Sequence, residues 1–428
     1  MKCLLTVTAN KLDQNSELRA YRLIFVTPYY WPEFSACTML YGSLCSGLVE
    51  SGMQVTVLTN GGWASDSEPF PVQPYFRPDV EKCWNPFLRR KGILLKILEY
   101  LSFTVFVMWK IMFSRRTDAV FLGSNPPLIA LPVGLISYFK KIKIIYNLQD
   151  LFPDSALALE LIDEKGVVFK TLKLFEKLNY KFSNKIITIC NLFADHVRKL
   201  ESDIAIEVIP NWVDTEFMIK IPRGSNKFLS RIGLCEKFIV LYAGNLGYSH
   251  NLDVIVEAAA RLAKHEEIHF LFVGDGNRKV TTMKNVEKLG LSNCTFIGFQ
   301  PFSDLPEVYS SCDLGVVSMR PGSEASAVPS KTWNYLSCSV PVIACVNSPS
   351  ELAEVILDSG AGLVLPAIDS ESLARAIFDL YQSPSRCAIL GAKGREYVCN
   401  EISRQVIVEK YKVSLQEVMR SGRKVQRH

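Results

Sequence analysis

Short apolar runs alternate with helical stretches along the chain, and they do so in two separate series. The first series extends from Arg22–Thr27 to Ile206–Pro210, and the second from Ile239–Gly244 to Gly362–Leu365. Alternating strands and helices build a parallel sheet that is covered by helices on both faces. The sequence therefore predicts an α/β protein with two doubly wound, Rossmann-like domains facing each other across a cleft.

Length and composition agree with two domains. The chain has 428 residues, of which 48% are hydrophobic, and domains typically contain roughly 100–200 residues. A polar stretch separates the two series of strands. The predicted organisation is a flexible extension (1–20), an amino-terminal domain (21–220), a linker (221–236), a carboxyl-terminal domain (237–403), and a helix crossing back with a basic tail (404–428).

Charge and cysteine content exclude several classes of protein. The formal net charge of +5 is small for this length, so nucleic acid is not expected as a partner. Twelve cysteines occur without a C-x-x-C pair, which favours reduced thiols in a reducing compartment. The apolar run Leu4–Val7 is too short for the core of a signal peptide. We therefore expect a cytoplasmic protein.

The most apolar stretch is 94–113, which we interpret as a helix at a membrane surface. Its uncharged core between Glu99 and Lys110 has ten residues, half of what a spanning helix needs. Arg115 and Arg116 follow it, and an apolar helix flanked by cations suits docking on anionic lipid. A helix buried in the first domain explains the same pattern, and both interpretations hold if one face is buried. The residues predicted to contact membrane or acceptor are Phe103, Phe106, Trp109, Arg115 and Arg116.

Two glycine-containing loops follow strands of the second series. One contains Gly244, Asn245 and Gly247, and the next strand ends in Gly274-Asp275-Gly276. Free backbone N–H groups and a positive helix terminus at such places can bind a diphosphate. A turn or packing role for the glycines is the alternative.

A third segment places a cation at the start of a predicted helix. Ser330 and Lys331 follow Pro329, where exposed amides and an amine lie close together. Lys331 could pair with a phosphate as a point charge. The alternative is a solvated lysine on the helix surface.

The order of several motifs resembles glycosyltransferase family 4. These motifs are VIPNWVDTEFM (208–218), YAGNLGYSHNLD (242–253), FVGDG (272–276) and PSKTWNYLSCSVPVIA (329–344). YYWPEFSA (29–36) and NLQDLFPDS (147–155) resemble the branch of that family that makes bacterial surface polysaccharides. The resemblance implies the type B fold and a retaining transferase that uses a nucleotide sugar.

The resemblance also implies donor contacts, with departures from the family pattern. Gly244 and Asn245 stand where the family has a glycine and usually an arginine at the diphosphate, so Lys331 becomes the leading cation. His250 would contribute charge only when protonated. The family's paired glutamates are not intact: Asn334 occupies the second position, and Glu324 lies near the first.

Two carboxylates of the first domain are candidates for catalysis or acceptor binding. Asp150 falls at the end of a strand, where many family members carry a histidine near the donor sugar. Glu33 lies in the loop after the first strand, where the acceptor should approach. Capping of the following helix is the alternative for Asp150, and a turn after Pro32 is the alternative for Glu33.

The reaction expected from these residues is sugar transfer from a nucleoside diphosphate donor, a UDP-sugar, to a saccharide on polyprenyl diphosphate. No D-x-D pair follows a strand in a plausible donor loop, so we expect no metal and no other cofactor. The enzyme would lie on the inner face of the cytoplasmic membrane. Two alternatives stay open: a sugar-nucleotide 2-epimerase of the same architecture, and a non-catalytic subunit that binds nucleotide sugar.

Overall fold

The computed structural model describes residues 21–31, 36–61, 77–85, 92–127, 129–154, 157, 162–323 and 328–424. The chain forms two compact units. Unit 1 comprises Met1–Pro210 together with Ile407–His428, and unit 2 comprises Asn211–Val406. Each unit is built on a parallel sheet, which confirms the predicted fold class of two doubly wound α/β domains.

Unit 1 contains a seven-stranded parallel sheet in the order β3-β2-β1-β4-β5-β6-β7. Its central strands are buried along almost their whole length, as expected for strands covered on both faces. The strands are β1 (Arg22–Val26), β2 (Gln54–Asn60), β3 (Asp79–Cys83), β4 (Ala119–Gly123), β5 (Lys143–Leu148), β6 (Lys185–Thr188) and β7 (Ala205–Val208). Strand β3 was not predicted, because its sequence DVEKC is short, charged and mostly exposed at the sheet edge.

Helices connect the strands of unit 1. They are α1 (Ala36–Glu50), α2 (Ile93–Phe113), α3 (Ala130–Lys140), α4 (Val167–Lys181) and α5 (Asn191–Leu200). Helix α2 contains the apolar stretch singled out in the sequence. Within the part of the chain that the structure describes, neither α2 nor any other helix is long and apolar enough to cross a membrane.

Unit 2 contains a six-stranded parallel sheet in the order β10-β9-β8-β11-β12-β13. Its strands are β8 (Phe238–Ala243), β9 (Ile268–Val273), β10 (Cys294–Ile297), β11 (Leu314–Ser318), β12 (Val342–Cys345) and β13 (Gly362–Leu365). The order reverses between β8 and β11. In open α/β sheets this reversal creates a crevice beyond the carboxyl ends of the two strands.

Helices cover the sheet of unit 2 and complete its core. They are α6 (Lys227–Ile232), α7 (Asp253–Arg261), α8 (Lys279–Lys288), α9 (Leu305–Ser310), α10 (Ser330–Ser337), α11 (Glu351–Ser359), α12 (Ser370–Tyr381) and α13 (Pro384–Tyr397). Residues 211–226 belong to unit 2, since Arg223 pairs with Asp313 at 3.0 Å and Arg395 donates to the carbonyl oxygen of Met218.

The last helix, α14 (Arg404–Lys424), returns to unit 1 from residue 407 onward. Tyr411 lies fully buried beside β5, where the side-chain amide of Asn147 donates to its hydroxyl at 3.0 Å. Asn147 also accepts a hydrogen bond from Tyr41 of α1 at 3.0 Å. This buried amide therefore links α1, β5 and α14 in one hydrogen-bonded layer.

We predict that Tyr411→Phe lowers the free energy of unfolding by about 1–2 kcal/mol, because a buried hydrogen-bond acceptor for Asn147 is removed. Tyr138→Phe is the control, since the Tyr138 side chain is exposed. Urea denaturation followed by circular dichroism checks both variants. Equal stability of Tyr411→Phe and the wild type would show that this hydrogen bond does not hold α14 in place.

Candidate functional site

The crevice of unit 2 at the carboxyl ends of β8 and β11 brings the predicted donor-binding loops together. The loop after β8 contacts the segment after β11: Arg320 donates its backbone N–H to the carbonyl oxygen of Ser249 at 2.9 Å. His250 bonds the Ser318 carbonyl oxygen through Nδ1 at 3.0 Å. Helix α10 begins at Ser330 and carries Lys331 to the same place, beside Gly244.

Glycines allow the loops after β8 and β9 to pack backbone against backbone. Gly244 and Gly274 have φ values of +111° and +141°, which side-chain-bearing residues rarely adopt. A Cβ at Gly274 would overlap the carbonyl oxygen of Gly244, and one at Gly276 would lie 2.6 Å from the carbonyl oxygen of Leu246. The packing role named as the alternative is therefore present. It also holds the loop after β8 in a fixed shape.

Lys331 is a buried lysine in this crevice. Only 6% of it is exposed, and Nζ lies 3.8 Å from the centre of the Tyr242 ring. Among the residues that the structure describes, none hydrogen-bonds to Nζ. Burial lowers the pKa of Lys331 to about 7, because a charge without solvent or a counterion is destabilised. The predicted alternative of a solvated surface lysine is therefore wrong.

His250 lies next to this amine and is uncharged at neutral pH. Burial, then the charge of Lys331, lower its pKa to about 4. Because the Ser318 carbonyl oxygen can only accept, Nδ1 carries the proton and Nε2 is an acceptor. His250 therefore adds no positive charge at neutral pH, and Lys331 stands as the cation beside Gly244.

The other residues predicted to bind the donor differ in exposure. Asn245 is exposed, and its carbonyl oxygen accepts a hydrogen bond from the Tyr242 hydroxyl at 2.8 Å. Gly247 packs against the side chain of Asn245. Ser330 and Asp275 are exposed, and the half-buried Asn334 hydrogen-bonds Tyr309. Glu324 lies outside the described residues.

Of the two carboxylates predicted in unit 1, only Asp150 lies within the described residues. Asp150 is exposed two residues after β5, at the carboxyl edge of the sheet. Glu33 lies outside the described residues. The structure therefore places Asp150 where a parallel sheet of this type presents ligand-binding side chains.

A polar cluster near this edge was not identified from the sequence. Glu176 of α4 is buried and bonds Lys173 at 2.9 Å, His196 at 2.8 Å and Tyr180 at 2.8 Å. Lys173 also pairs with Asp154, which follows β5. Asp154, Glu176 and His196 place their ligand atoms within 4.8 Å of one another, an arrangement that could hold a metal ion. The Lys173 ammonium, however, already pairs with both carboxylates.

Asp154, Glu176 and His196 are far apart in sequence and lie in the segment after β5, in α4 and in α5, so no local motif reveals the cluster. Burial opposes ionisation of Glu176, but hydrogen bonds from His196, Lys173 and Tyr180 lower its pKa below the usual value. The cluster fixes the segment after β5 against α4 and α5.

Helix α2 has two apolar faces, and only one of them is exposed. The prediction for Phe103 is wrong: its side chain is completely buried in unit 1. Phe106 is half-buried, whereas 54% of the Trp109 side chain is exposed. Arg115 and Arg116 are also exposed. The exposed face, here called the apolar stripe, consists of Leu94, Ile97, Leu101, Val105, Trp109, Met112 and Phe113.

Two family models match successive parts of the chain. Residues 41–217 match the model described as Glycosyltransferase Family 4, and residues 231–397 match Glycosyl transferases group 1. These matches agree with the parallel sheets and with the crevice around Lys331. The chain belongs to the family 4 glycosyltransferases.

Individual relatives have low sequence identity to this chain, but the similarity covers most of its length. The probable glycosyltransferase WbjE of Pseudomonas aeruginosa is 23% identical over 70% of this chain and 74% of its own. The putative colanic acid biosynthesis glycosyl transferase WcaI of Escherichia coli K12 is 24% identical over 83% of this chain and 90% of its own. The crystal structure of Anabaena HepE in complex with UDP and glucose has a TM-score of 0.71 at 15% identity, over 93% of this chain and 100% of HepE. That structural similarity concerns the fold.

We predict that burial of Lys331 makes the stability of unit 2 depend on pH. The folded pKa of about 7 lies below the ordinary value of 10.5, so between these values the unfolded chain binds more protons and stability rises with pH. Relative to Lys331→Met, the wild type should gain up to roughly 1.4 kcal/mol per pH unit between pH 7.5 and 9.5. Urea denaturation at several pH values checks this. Parallel pH profiles for the two proteins would contradict a desolvated amine.

Proposed function

We propose that this protein transfers a sugar from a nucleoside diphosphate donor, a UDP-sugar, to a saccharide on polyprenyl diphosphate, with retention of anomeric configuration. The reaction would serve the synthesis of a bacterial surface polysaccharide. The observation that carries the proposal is the buried amine of Lys331 at the carboxyl end of β8. Among the described residues no carboxylate pairs with this amine, and we propose that an anionic ligand supplies the counterion.

The geometry around Lys331 suits a diphosphate. Helix α10 begins at Ser330 without a side-chain cap. The Thr332 N–H already donates to the Pro329 carbonyl oxygen at 2.9 Å, so the N–H groups of Ser330 and Lys331 are the ones proposed to meet an anion, and the helix dipole adds positive potential. The loop after β8 approaches the Lys331 side chain, which lies 3.4 Å from the position of a Cβ at Gly244. The amine and these amides would stabilise the negative charge that develops on the diphosphate as the glycosidic bond breaks.

No metal is part of this proposal, because these groups can neutralise the leaving diphosphate themselves. Lys331 takes a proton when the anion binds, since a nearby negative charge raises the pKa of an amine. Asp150 is proposed to bind hydroxyl groups of the acceptor at the carboxyl edge of the unit 1 sheet. Glu33 is proposed for the same acceptor side on the resemblance alone.

The relatives support the donor and the pathway. HepE was crystallised with UDP and glucose, which favours a uridine nucleotide for the same fold. WcaI is described as a colanic acid biosynthesis enzyme, and colanic acid is a polysaccharide. Together with the surface-polysaccharide motifs in the sequence, these descriptions favour a growing polysaccharide as the acceptor.

The apolar stripe of α2 supports a lipid-linked acceptor. The stripe runs from Leu94 to Phe113, about 28 Å along the helix at 1.5 Å per residue. Tyr138 and Phe139 of the adjoining helix α3 are also exposed, with ring centroids 5.7 Å apart. Apolar patches of this size mark interaction surfaces. We propose that this face lies on the inner leaflet of the cytoplasmic membrane, where the acceptor would be anchored.

We predict that Lys331→Met weakens UDP binding about 10- to 100-fold, since a charge-assisted hydrogen bond contributes ~1.5–3 kcal/mol. Wild-type affinity should fall as the pH rises from 7 to 9, because the free amine loses its proton above its pKa of about 7. Calorimetry with UDP checks both effects. Lys288→Met, an exposed change on α8, is the control.

Three outcomes separate the candidate functions. Unchanged UDP affinity of Lys331→Met would remove this lysine from the donor site. UDP-sugar binding without transfer to a lipid-linked saccharide would favour the nucleotide-sugar-binding subunit. Conversion of the UDP-sugar to its 2-epimer would favour the epimerase.

We predict that the double variant Leu101→Gln and Val105→Gln reduces partitioning onto lipid vesicles at least tenfold. Burial of one such side chain in an apolar phase is worth ~1.5–3 kcal/mol. The matched control is Val280→Gln with Leu357→Gln, two exposed apolar residues of unit 2. Cosedimentation with vesicles is the measurement. If both double variants partition like the wild type, the apolar stripe is not the lipid-binding face.

A further inference from the structure

We propose that Tyr242 is a positioning residue of the donor site: its ring holds the Lys331 amine, and its hydroxyl holds the loop that would meet the donor diphosphate. This inference rests on the proposed function and concerns how the donor-binding groups are kept in place. Tyr242 is the last residue but one of β8, and only 1% of it is exposed. Because it is buried, it would act through the groups that it contacts.

The ring of Tyr242 gives the Lys331 amine an attractive partner. Nζ lies 3.8 Å from the ring centroid, well within the roughly 6 Å over which a cation is attracted to an aromatic face. The attraction acts on the ammonium form, since the face of the ring carries partial negative charge. The ring therefore favours the charged form of Lys331, which burial by itself disfavours.

The hydroxyl of Tyr242 fixes one peptide unit of the loop after β8. It donates to the carbonyl oxygen of Asn245 at 2.8 Å. The Leu246 N–H of the same peptide unit donates to the Asp275 carbonyl oxygen, also at 2.8 Å. Since the C=O and N–H of a trans peptide point in opposite directions, this unit is held from both sides. Burial, then the nearby Tyr309, raise the pKa of Tyr242 above its usual range, so the hydroxyl keeps the proton that it donates.

Helix α10 is docked so that Lys331 meets this ring. The pairing of β8 with β11 ends at Leu241. Beyond it, the hydroxyl of Tyr335, one turn after Lys331 on α10, bridges two backbone groups of β8. It donates to the Leu241 carbonyl oxygen at 2.8 Å and accepts from the Ala243 N–H at 3.0 Å. Because these two residues flank Tyr242 in the strand, the bridge holds α10 beside the ring on which the amine lies.

Within the described part of the chain, three titratable side chains interact with Lys331 or Tyr242, and all three are uncharged at neutral pH. His250 lies at 74° to the Tyr242 ring, with centroids 5.9 Å apart, and its pKa is lowered to about 4. Burial raises the pKa of Tyr309 and of Tyr335 above the usual range. No described hydrogen-bond acceptor reaches the amine. The ring of Tyr242 is therefore the group that stabilises the ammonium before an anion binds.

The test compares two substitutions that separate the ring from the hydroxyl. Tyr242→Phe keeps the ring and removes the hydroxyl, whereas Tyr242→Leu removes both. The control is Phe270→Leu, which removes a completely buried ring from the neighbouring strand β9. NMR of the lysine Cε carbons measures the pKa of Lys331 without UDP, and the Lys331 signal is identified by its absence in Lys331→Met. Calorimetry at several pH values measures UDP affinity.

We expect Tyr242→Phe to weaken UDP binding about 3- to 10-fold, the effect of losing one neutral hydrogen bond, and to leave the pKa of Lys331 unchanged. Tyr242→Leu should lower that pKa by about one pH unit, as expected for the loss of a cation–π contact. Its UDP affinity should then fall at a lower pH than in the wild type, because the amine loses its proton earlier. Phe270→Leu should leave the pKa of Lys331 and the UDP affinity unaltered.

The outcomes separate this inference from the proposed function. A Lys331 pKa in Tyr242→Leu that equals or exceeds the value in Tyr242→Phe would overturn the role of the ring. Unchanged UDP affinity of Tyr242→Phe, which retains the buried ring, would overturn the role of the hydroxyl. Equal effects of Phe270→Leu and Tyr242→Leu would show that Tyr242 acts only as a core residue. If the wild type does not bind UDP while the pKa of Lys331 still depends on the ring, the donor site is overturned and the contact between ring and amine is not.

Discussion

The close approach of two backbone loops at the carboxyl ends of β8 and β9 is the constraint on which the crevice around Lys331 depends. A side chain at Gly274 would overlap the backbone of Gly244, so the loops can pack only without one. The Leu246 N–H then reaches the Asp275 carbonyl oxygen at 2.8 Å. A rigid loop of this kind places backbone amides before any ligand arrives, which lowers the ordering cost of binding.

Against this fixed loop lies the Lys331 side chain, whose amine has no hydrogen-bond partner among the described residues. Lys331 is buried over Tyr242, and its lowered pKa reports the cost of removing an amine from water. Structures tolerate such a cost where a ligand compensates for it, and perturbed pKa values cluster at functional sites for that reason. The neutral His250 nearby avoids adding a second cation to the same place.

The sequence predicted helix α2 but not the division of its faces. Its outer residues are as apolar as its inner ones, so periodicity alone cannot tell which face packs against the sheet. Phe103 is therefore buried, while Val105, two residues later, is exposed. Strand β3 was missed because its charged residues lack the pattern of a buried strand. The cluster around Glu176 was not predicted because Asp154, Glu176 and His196 are distant in sequence and come together only in the fold.

The sequence by itself determined the two parallel sheets, all of their strands except β3, and the loops that bear Gly244, Gly274 and Lys331, because apolar periodicity and glycine placement are local properties. Only the tertiary structure decided that the Lys331 amine is buried over Tyr242 without a hydrogen-bond partner among the described residues, and that His250 is neutral. Burial and charge pairing arise when distant segments pack together. They set the chemistry of a side chain through desolvation, which no local pattern records.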